Sequence, residues 1–160
     1  MTTFLSNVPF WVFPLFILLL VLGLRASKDR SVPTLLIYAL PLLGILTMRN
    51  ILALSPPLWV WAIAALGYGS GILLGMKWQR GWIIERGAKA TRVKGEWITL
   101  TAMMVIFAAG FVNGFLSAVM PGLTQSALFA AAFAVITCLP SGQFLGRVIT
   151  TLRTPVTQAS

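Results

Sequence analysis

The chain has 160 residues, of which 58% are hydrophobic and 9% are charged, and its mean hydropathy is +0.92. Soluble domains carry about 25% charged residues, so the composition excludes an ordinary soluble domain. It predicts an all-α, polytopic bundle of transmembrane helices that forms one domain over residues 1–160. The net charge of +9 does not indicate nucleic-acid binding, because the basic residues flank apolar segments instead of lining one face of a folded domain.

Apolar segments of about 20 residues, the length that crosses a bilayer, recur along the chain and predict five spans. The first segment has no basic residue before its apolar core and several just after it, which is typical of an uncleaved anchor with a translocated N-terminus. Turns at 55–57 (Ser-Pro-Pro) and 121–122 (Pro-Gly) end the second and fourth segments. Pro41 and Pro140 lie inside the second and fifth. The predicted spans cover residues 4–24, 34–54, 58–76, 97–120 and 127–152.

The basic residues predict the orientation. If the N-terminus is outside, every lysine and arginine except Arg49 lies on the inner side, so we expect an N-out/C-in arrangement. The main inner loop, residues 77–96, mixes basic residues with tryptophans that suit the lipid interface. Its Ile83-Ile84 and Val93, on either side of Gly87, predict a short hairpin. The residues predicted to contact anionic lipid head groups are Lys77, Arg80, Arg86, Lys89, Arg92 and Lys94.

Catalytic and metal-binding side chains are scarce. The sequence contains no histidine, the commonest metal ligand and general base. All three acids, Asp29, Glu85 and Glu96, lie in or beside the inner loops, so no carboxylate is expected within the membrane. Cys138, in the fifth segment, is interpreted as a small buried apolar residue and not as a redox or lipidated thiol. The sequence therefore predicts no metal, no cofactor and no catalytic residue.

Glycines four residues apart occur in the third, fourth and fifth segments. Small residues at this spacing let helix backbones approach closely in lipid. Packing within the monomer is the interpretation that we favour, because three of the five segments carry the pattern. The alternative is an oligomer interface or a thin pore wall. The predicted packing residues are Gly67, Gly71, Gly75, Gly110, Gly114, Gly142 and Gly146.

Arg49, beside Asn50, is the exception to the charge distribution. Counted along a helix from residue 34, it lies roughly 22 Å from the start of the span, near the outer boundary of a hydrocarbon layer about 30 Å thick. Asn113 is expected at a similar depth. The three residues are predicted to form an intramembrane polar cluster, in which Asn113 accepts a hydrogen bond from Arg49. The alternative is that the Arg49 side chain extends outward to the head groups.

A short repeat relates the third and fifth segments. The sequence Ser70-Gly71-Ile72-Leu73-Leu74-Gly75 matches Ser141-Gly142-Gln143-Phe144-Leu145-Gly146, which predicts two helical hairpins in the same orientation behind an N-terminal helix. The second copy, continued by Arg147, and the run Val93-Lys94-Gly95-Glu96-Trp97 resemble a family of small bacterial multi-pass membrane proteins of unknown function. That resemblance implies a bacterial inner (cytoplasmic) membrane and implies no activity.

Three classes of function follow from these features. The first is a non-enzymatic accessory or scaffold subunit that packs against other membrane proteins, or against itself, through its glycines. The second is a small oligomeric transporter or channel for an anionic solute, with Arg49 supplying the charge. The third is a lipid-handling membrane enzyme, which the shortage of acids and the absence of histidine disfavour. The expected partners are the bilayer with its anionic lipids and other membrane proteins, and not nucleic acid.

Overall fold

The structure, a computed structural model, describes residues 12–26, 28–86 and 90–155, and it is mostly helical. Among these residues, three helices are long and apolar enough to cross a membrane, and they coincide closely with the third, fourth and fifth predicted spans. The elements in chain order are α1 (Val12–Ala26), β1 (Arg30–Pro33), α2 (Thr34–Ala39), α3 (Leu42–Ala53), α4 (Leu58–Trp82), β2 (Ile83–Arg86), β3 (Ala90–Val93), α5 (Ile98–Val119), α6 (Pro121–Thr124) and α7 (Ala127–Arg153).

The second predicted span is not one continuous helix. It divides into α2 and α3 at Leu40 and Pro41. Proline has no N–H to donate and its ring collides with the preceding turn, so the chain passes this point through tighter bonds, such as that from the Leu40 N–H to the Ile37 carbonyl at 3.3 Å. The first predicted span begins outside the described residues, and α1 covers the rest of it.

The predicted inner loop begins later than expected. Helix α4 continues to Trp82, so Lys77 and Arg80 lie on a helix and not in a loop. Beyond it, β2 and β3 form the predicted antiparallel hairpin, with Glu85 opposite Arg92. A third strand, which the sequence did not predict, joins the hairpin: β1 pairs antiparallel with β3 and gives the order β1-β3-β2.

Helices α4 and α7 run parallel and form the centre of the bundle. A Cβ atom added to Gly71 would overlap the backbone carbonyl of Leu139, and one added to Gly142 would overlap that of Tyr68. Gly75 and Gly146 make the same reciprocal contacts one turn further along, with Gln143 and Ile72. The two copies of the repeat therefore pack on each other about an approximate two-fold axis that runs along the helices.

Helix α5 packs less tightly on this centre. It contacts α1, where Gly23 lies against Leu100 and the rings of Phe16 and Phe107 are 5.9 Å apart. It also contacts α7 through a small apolar cluster around Phe144. Only 11% of the residues in the most apolar part of α5 are buried, against 61% for α7. Most of the α5 surface is thus left for lipid or for another protein.

Candidate functional site

A buried ion pair lies at the end of the bundle where α7 approaches the three-stranded sheet. Arg147 Nη2 is 2.6 Å from Glu96 Oε1, and both side chains are buried. The Nη1 group of Arg147 donates to Thr99 Oγ1, and its Nε donates to Gln79 Oε1 at 2.9 Å. Arg147 thereby joins α7 to α4 and to the start of α5. We call Arg147, Glu96, Thr99, Gln79 and Thr151 the Arg147 cluster.

Glu96 is held in place by the start of α5. Its carboxylate accepts a hydrogen bond from the Thr99 N–H at 2.8 Å and another from the Thr99 hydroxyl. A carboxylate is stabilised at the N-terminus of a helix, where backbone N–H groups are unpaired and the helix dipole is positive. The Glu96 N–H in turn donates to the Ala26 carbonyl at 2.9 Å, which ties the cluster to the end of α1.

Gln79 and Thr151 close the hydrogen-bond network. Gln79 Nε2 donates to Thr151 Oγ1 at 3.4 Å, and the Thr151 hydroxyl donates to the Arg147 carbonyl at 2.9 Å. The Arg147 guanidinium lies over the Trp82 ring, with 5.0 Å between the guanidinium carbon and the ring centroid. This distance allows a cation–π interaction. The cationic side chain is therefore surrounded by a carboxylate, a hydroxyl, an amide and an aromatic face.

Further polar side chains of α7 are buried along the same helix. The hydroxyls of Ser141 and Thr47 are 2.9 Å apart, which joins α7 to α3. Thr137 donates to the Phe133 carbonyl at 2.7 Å within the helix. Gln143 differs from these residues, because its buried Nε2 has no partner among the described residues. A buried donor without a partner costs about 1–3 kcal/mol.

The chemistry available to the Arg147 cluster is electrostatic. Arginine stays protonated in proteins and has no acceptor, so it can stabilise a negative charge but cannot act as a base. Within residues 12–26, 28–86 and 90–155, no group of three or more His, Cys, Asp or Glu side chains could hold a metal ion. Because Glu96 is the cluster's own counter-ion and its partners are all internal, the arrangement suits a structural connection between helices.

The predicted polar cluster of Arg49, Asn50 and Asn113 is distributed over two helices. Arg49 and Asn50 lie on α3, where Arg49 is exposed and Asn50 is half-buried. Asn113 lies on α5, and its buried Oδ1 has no hydrogen-bond partner in the described part of the chain. The predicted hydrogen bond from Arg49 to Asn113 is therefore not present. Arg49 instead borders a cavity between α3, α4 and α7.

The predicted packing glycines divide into two groups. Gly71, Gly75, Gly142 and Gly146 meet the backbone of the neighbouring helix, and Gly67 lies at ordinary contact distance from Cys138. Cys138 itself is buried. By contrast, a Cβ atom added to Gly110 or Gly114 would meet nothing within 4 Å among the described residues.

The predicted head-group residues are largely on the surface. Lys77, Arg80, Arg92 and Lys94 are exposed, whereas Lys89 and the side chain of Arg86 lie outside what the structure describes. Arg80 and Arg153, from the ends of α4 and α7, line one pocket of 290 Å³ together with Thr150 and Thr154. Two cations beside one small pocket favour an anion there.

Sequence reasoning missed the Arg147 cluster. It treated Arg147 and Glu96 as topology-setting charges beside the inner surface. The internal repeat could have indicated that Arg147 is buried. It aligns Gly71 with Gly142 and Gly75 with Gly146, and so it aligns Met76 with Arg147. Met76 lies on α4 directly after Gly75, which contacts α7, so its equivalent Arg147 is expected against the bundle, where a charge needs a partner.

Comparison with known proteins adds no relationship to this geometry. No protein-family model, no curated protein and no solved structure matches the chain.

Proposed function

We propose that the protein is a non-enzymatic accessory or scaffold subunit of a bacterial inner membrane, with five spans and an N-out/C-in orientation. Its partner is another membrane protein or a second copy, bound through one face of α5. One observation carries this proposal: Gly110 and Gly114 are bare, in that an added Cβ atom would meet no described residue beyond its own turn of helix within 4 Å, although glycines with the same spacing on α4 and α7 are in close contact with a neighbouring backbone.

The bare glycines lie beside two polar side chains. On a helix, residues three and four apart share a face, so Gly110, Asn113, Gly114 and Ser117 form one stripe, which we call the α5 face. Ser117 is exposed and its hydroxyl can reach a partner, whereas Asn113 Oδ1 is buried and lacks a partner among the described residues. Small residues with a neighbouring polar group are typical of helix–helix contacts in membranes, because they allow close approach and a hydrogen bond between helices.

The other two classes of function have less support. The polar side chains of the Arg147 cluster are buried and bind each other, which makes them poorly accessible to a lipid substrate. The cavity beside Arg49 is bordered mainly by apolar side chains such as Ile45, Leu52 and Ala65. An anionic solute would cross such a lining only at a large desolvation cost. The N-out/C-in orientation and the inner-membrane location are supported by the distribution of basic residues and by the family resemblance.

Photo-crosslinking in host membranes tests the proposal. A photoreactive amino acid replaces Ser117, and we expect it to yield a discrete protein adduct, either a dimer of this chain or a complex with another membrane protein. Gly114→Leu should abolish the adduct without lowering the melting temperature, because no described atom lies near the glycine. Ala108→Leu is the matched control, since it adds similar bulk at an exposed position on the opposite side of α5. Absence of any adduct, or equal loss with both substitutions, would contradict the proposal.

A further inference from the structure

A cavity of 670 Å³ opens between α3, α4 and α7 near the turn that joins α3 to α4. It is bordered by Arg49 and by apolar side chains such as Ile45, Met48, Leu52 and Ala65, and we call it the Arg49 groove. Ile45, Met48 and Leu52 are exposed, so the groove is open to the outer surface of the helix bundle. Its volume lies within the range of about 300–1,000 Å³ that is usual for ligand sites.

The groove follows from small residues and from the break at Pro41. The end of α2 and the start of α3 meet there. Because residue 44 is a glycine, no side chain fills the space between α3 and Tyr68. A Cβ atom at position 44 would lie 3.3 Å from the Tyr68 hydroxyl oxygen. Ala64 and Ala65 on α4 add little volume of their own. From Pro41 to Arg49 the groove extends about 12 Å along the helix at 1.5 Å per residue.

Arg49 gives one end of this apolar groove a positive charge. The side chain is exposed, and it has no acidic partner among the described residues. A guanidinium carries five N–H donors in a planar fork that matches a phosphate group. The groove therefore has an apolar lining and a cation at one end. These two features are complementary to the acyl chain and the anionic head group of a lipid.

We propose that the Arg49 groove binds one acyl chain of an anionic phospholipid, whose phosphate accepts hydrogen bonds from the Arg49 guanidinium. In a bilayer the exposed side of the groove faces lipid tails, so an acyl chain can enter without crossing water. The site is separate from the α5 face and depends only on insertion of the protein in a membrane. Arg49 is the one basic residue that the predicted topology does not place on the inner side, and this site provides it with a lipid partner.

Native mass spectrometry of the full chain in a neutral detergent tests the site. The probes are phosphatidylglycerol, phosphatidylcholine with the same acyl chains, and inorganic phosphate. We expect one tightly retained phosphatidylglycerol per chain and weaker retention of phosphatidylcholine. Arg49→Gln should weaken phosphatidylglycerol binding by about tenfold or more, because hydrogen bonds to a charged group are lost. Arg25→Gln removes an exposed arginine at the end of α1 that does not border the groove, and it should leave binding unchanged.

Filling the groove separates the acyl chain from the head group. Ala65→Phe should reduce binding of both lipids, and the smaller Ala65→Leu should reduce it to a lesser degree. Because Ala65 is exposed, both variants should keep the lipid-free melting temperature of the wild type. Unchanged lipid binding by Ala65→Phe would overturn the acyl-chain assignment. Equal phosphatidylglycerol binding by Arg49→Gln and wild type would overturn the head-group assignment, and so would saturation of the site by inorganic phosphate alone. Loss of crosslinking at the α5 face would leave these results unchanged, so the two proposals fail independently.

Discussion

Replacing Arg147 by methionine should be among the most destabilising single changes in the protein. Methionine is the residue that the repeat places at the equivalent position of α4, so the side chain fits the helix pair. The change removes one hydrogen bond to a carboxylate and hydrogen bonds to Thr99 and Gln79. All three bonds are donated by the charged guanidinium, and a bond to a charged group has a typical net value of about 1.5–3 kcal/mol.

The three bonds belong to one network, so their contributions do not simply add. We expect a loss of about 3–5 kcal/mol in the free energy of unfolding, the range observed when one partner of a buried ion pair is removed. The remaining Glu96 carboxylate keeps its bonds to Thr99 but has no cation. Arg153→Met is the matched control, because Arg153 is exposed near the end of the same helix and should change stability by less than about 0.5 kcal/mol.

Unfolding in mixed detergent micelles, followed by tryptophan fluorescence, measures these effects. The cycle formed by Arg147→Met, Glu96→Gln and the double variant should show a coupling energy of about 1.5–3 kcal/mol, because the two side chains share one ion pair. The reasoning is refuted if Arg147→Met costs less than about 1 kcal/mol, or if the two single effects add within about 0.5 kcal/mol.

Three further predictions concern packing, topology and an unsatisfied amide. Gly71→Leu should lower the melting temperature strongly, since its side chain would overlap α7, whereas Gly69→Leu should not, because a Cβ atom added there would meet no described residue beyond its own turn of helix within 4 Å. Equal effects in the two variants would contradict the close packing of α4 on α7. A cysteine at residue 90 in a Cys138→Ser background should react with a thiol reagent only from the cytoplasmic side, and labelling from the periplasm would exclude the N-out/C-in orientation. Gln143→Met should raise the free energy of unfolding by about 1 kcal/mol, because it removes a buried donor without a described partner and keeps a similar side-chain volume. A lower melting temperature in thermal unfolding would contradict this and would show that the amide stabilises the fold.

The long helices could be predicted because their signals are local. Runs of apolar residues bounded by Pro57, by Trp97 and by 121–122 gave the extents of α4, α5 and α7 to within a few residues, except that α4 continues to Trp82. That extension was missed because Lys77 and Arg80 seemed too polar for a span, although long basic side chains lie readily along a helix that extends beyond the hydrocarbon layer.

The missed features depend on residues that are far apart in the chain. Strand β1 is four residues long, and only its pairing with β3 makes it a strand. Likewise, Glu96 looks like a loop acid until α7 brings Arg147 beside it. The break at Pro41 was visible as a proline, but membrane helices often tolerate proline, and Pro140 lies inside an unbroken α7. Local sequence did not distinguish these two outcomes.

The closure of the Arg147 cluster by α7 also fixes an order of events during synthesis. Glu96, Thr99 and Gln79 are translated before Arg147, and the glycine face of α4 is translated before its counterpart on α7. A nascent chain that has not yet produced residue 147 therefore holds a carboxylate without its cation and a helix face without its partner. Arrival of α7 satisfies both at once, so we expect the bundle to complete its packing in a single late step, and chains that stop before this helix to be prone to aggregation.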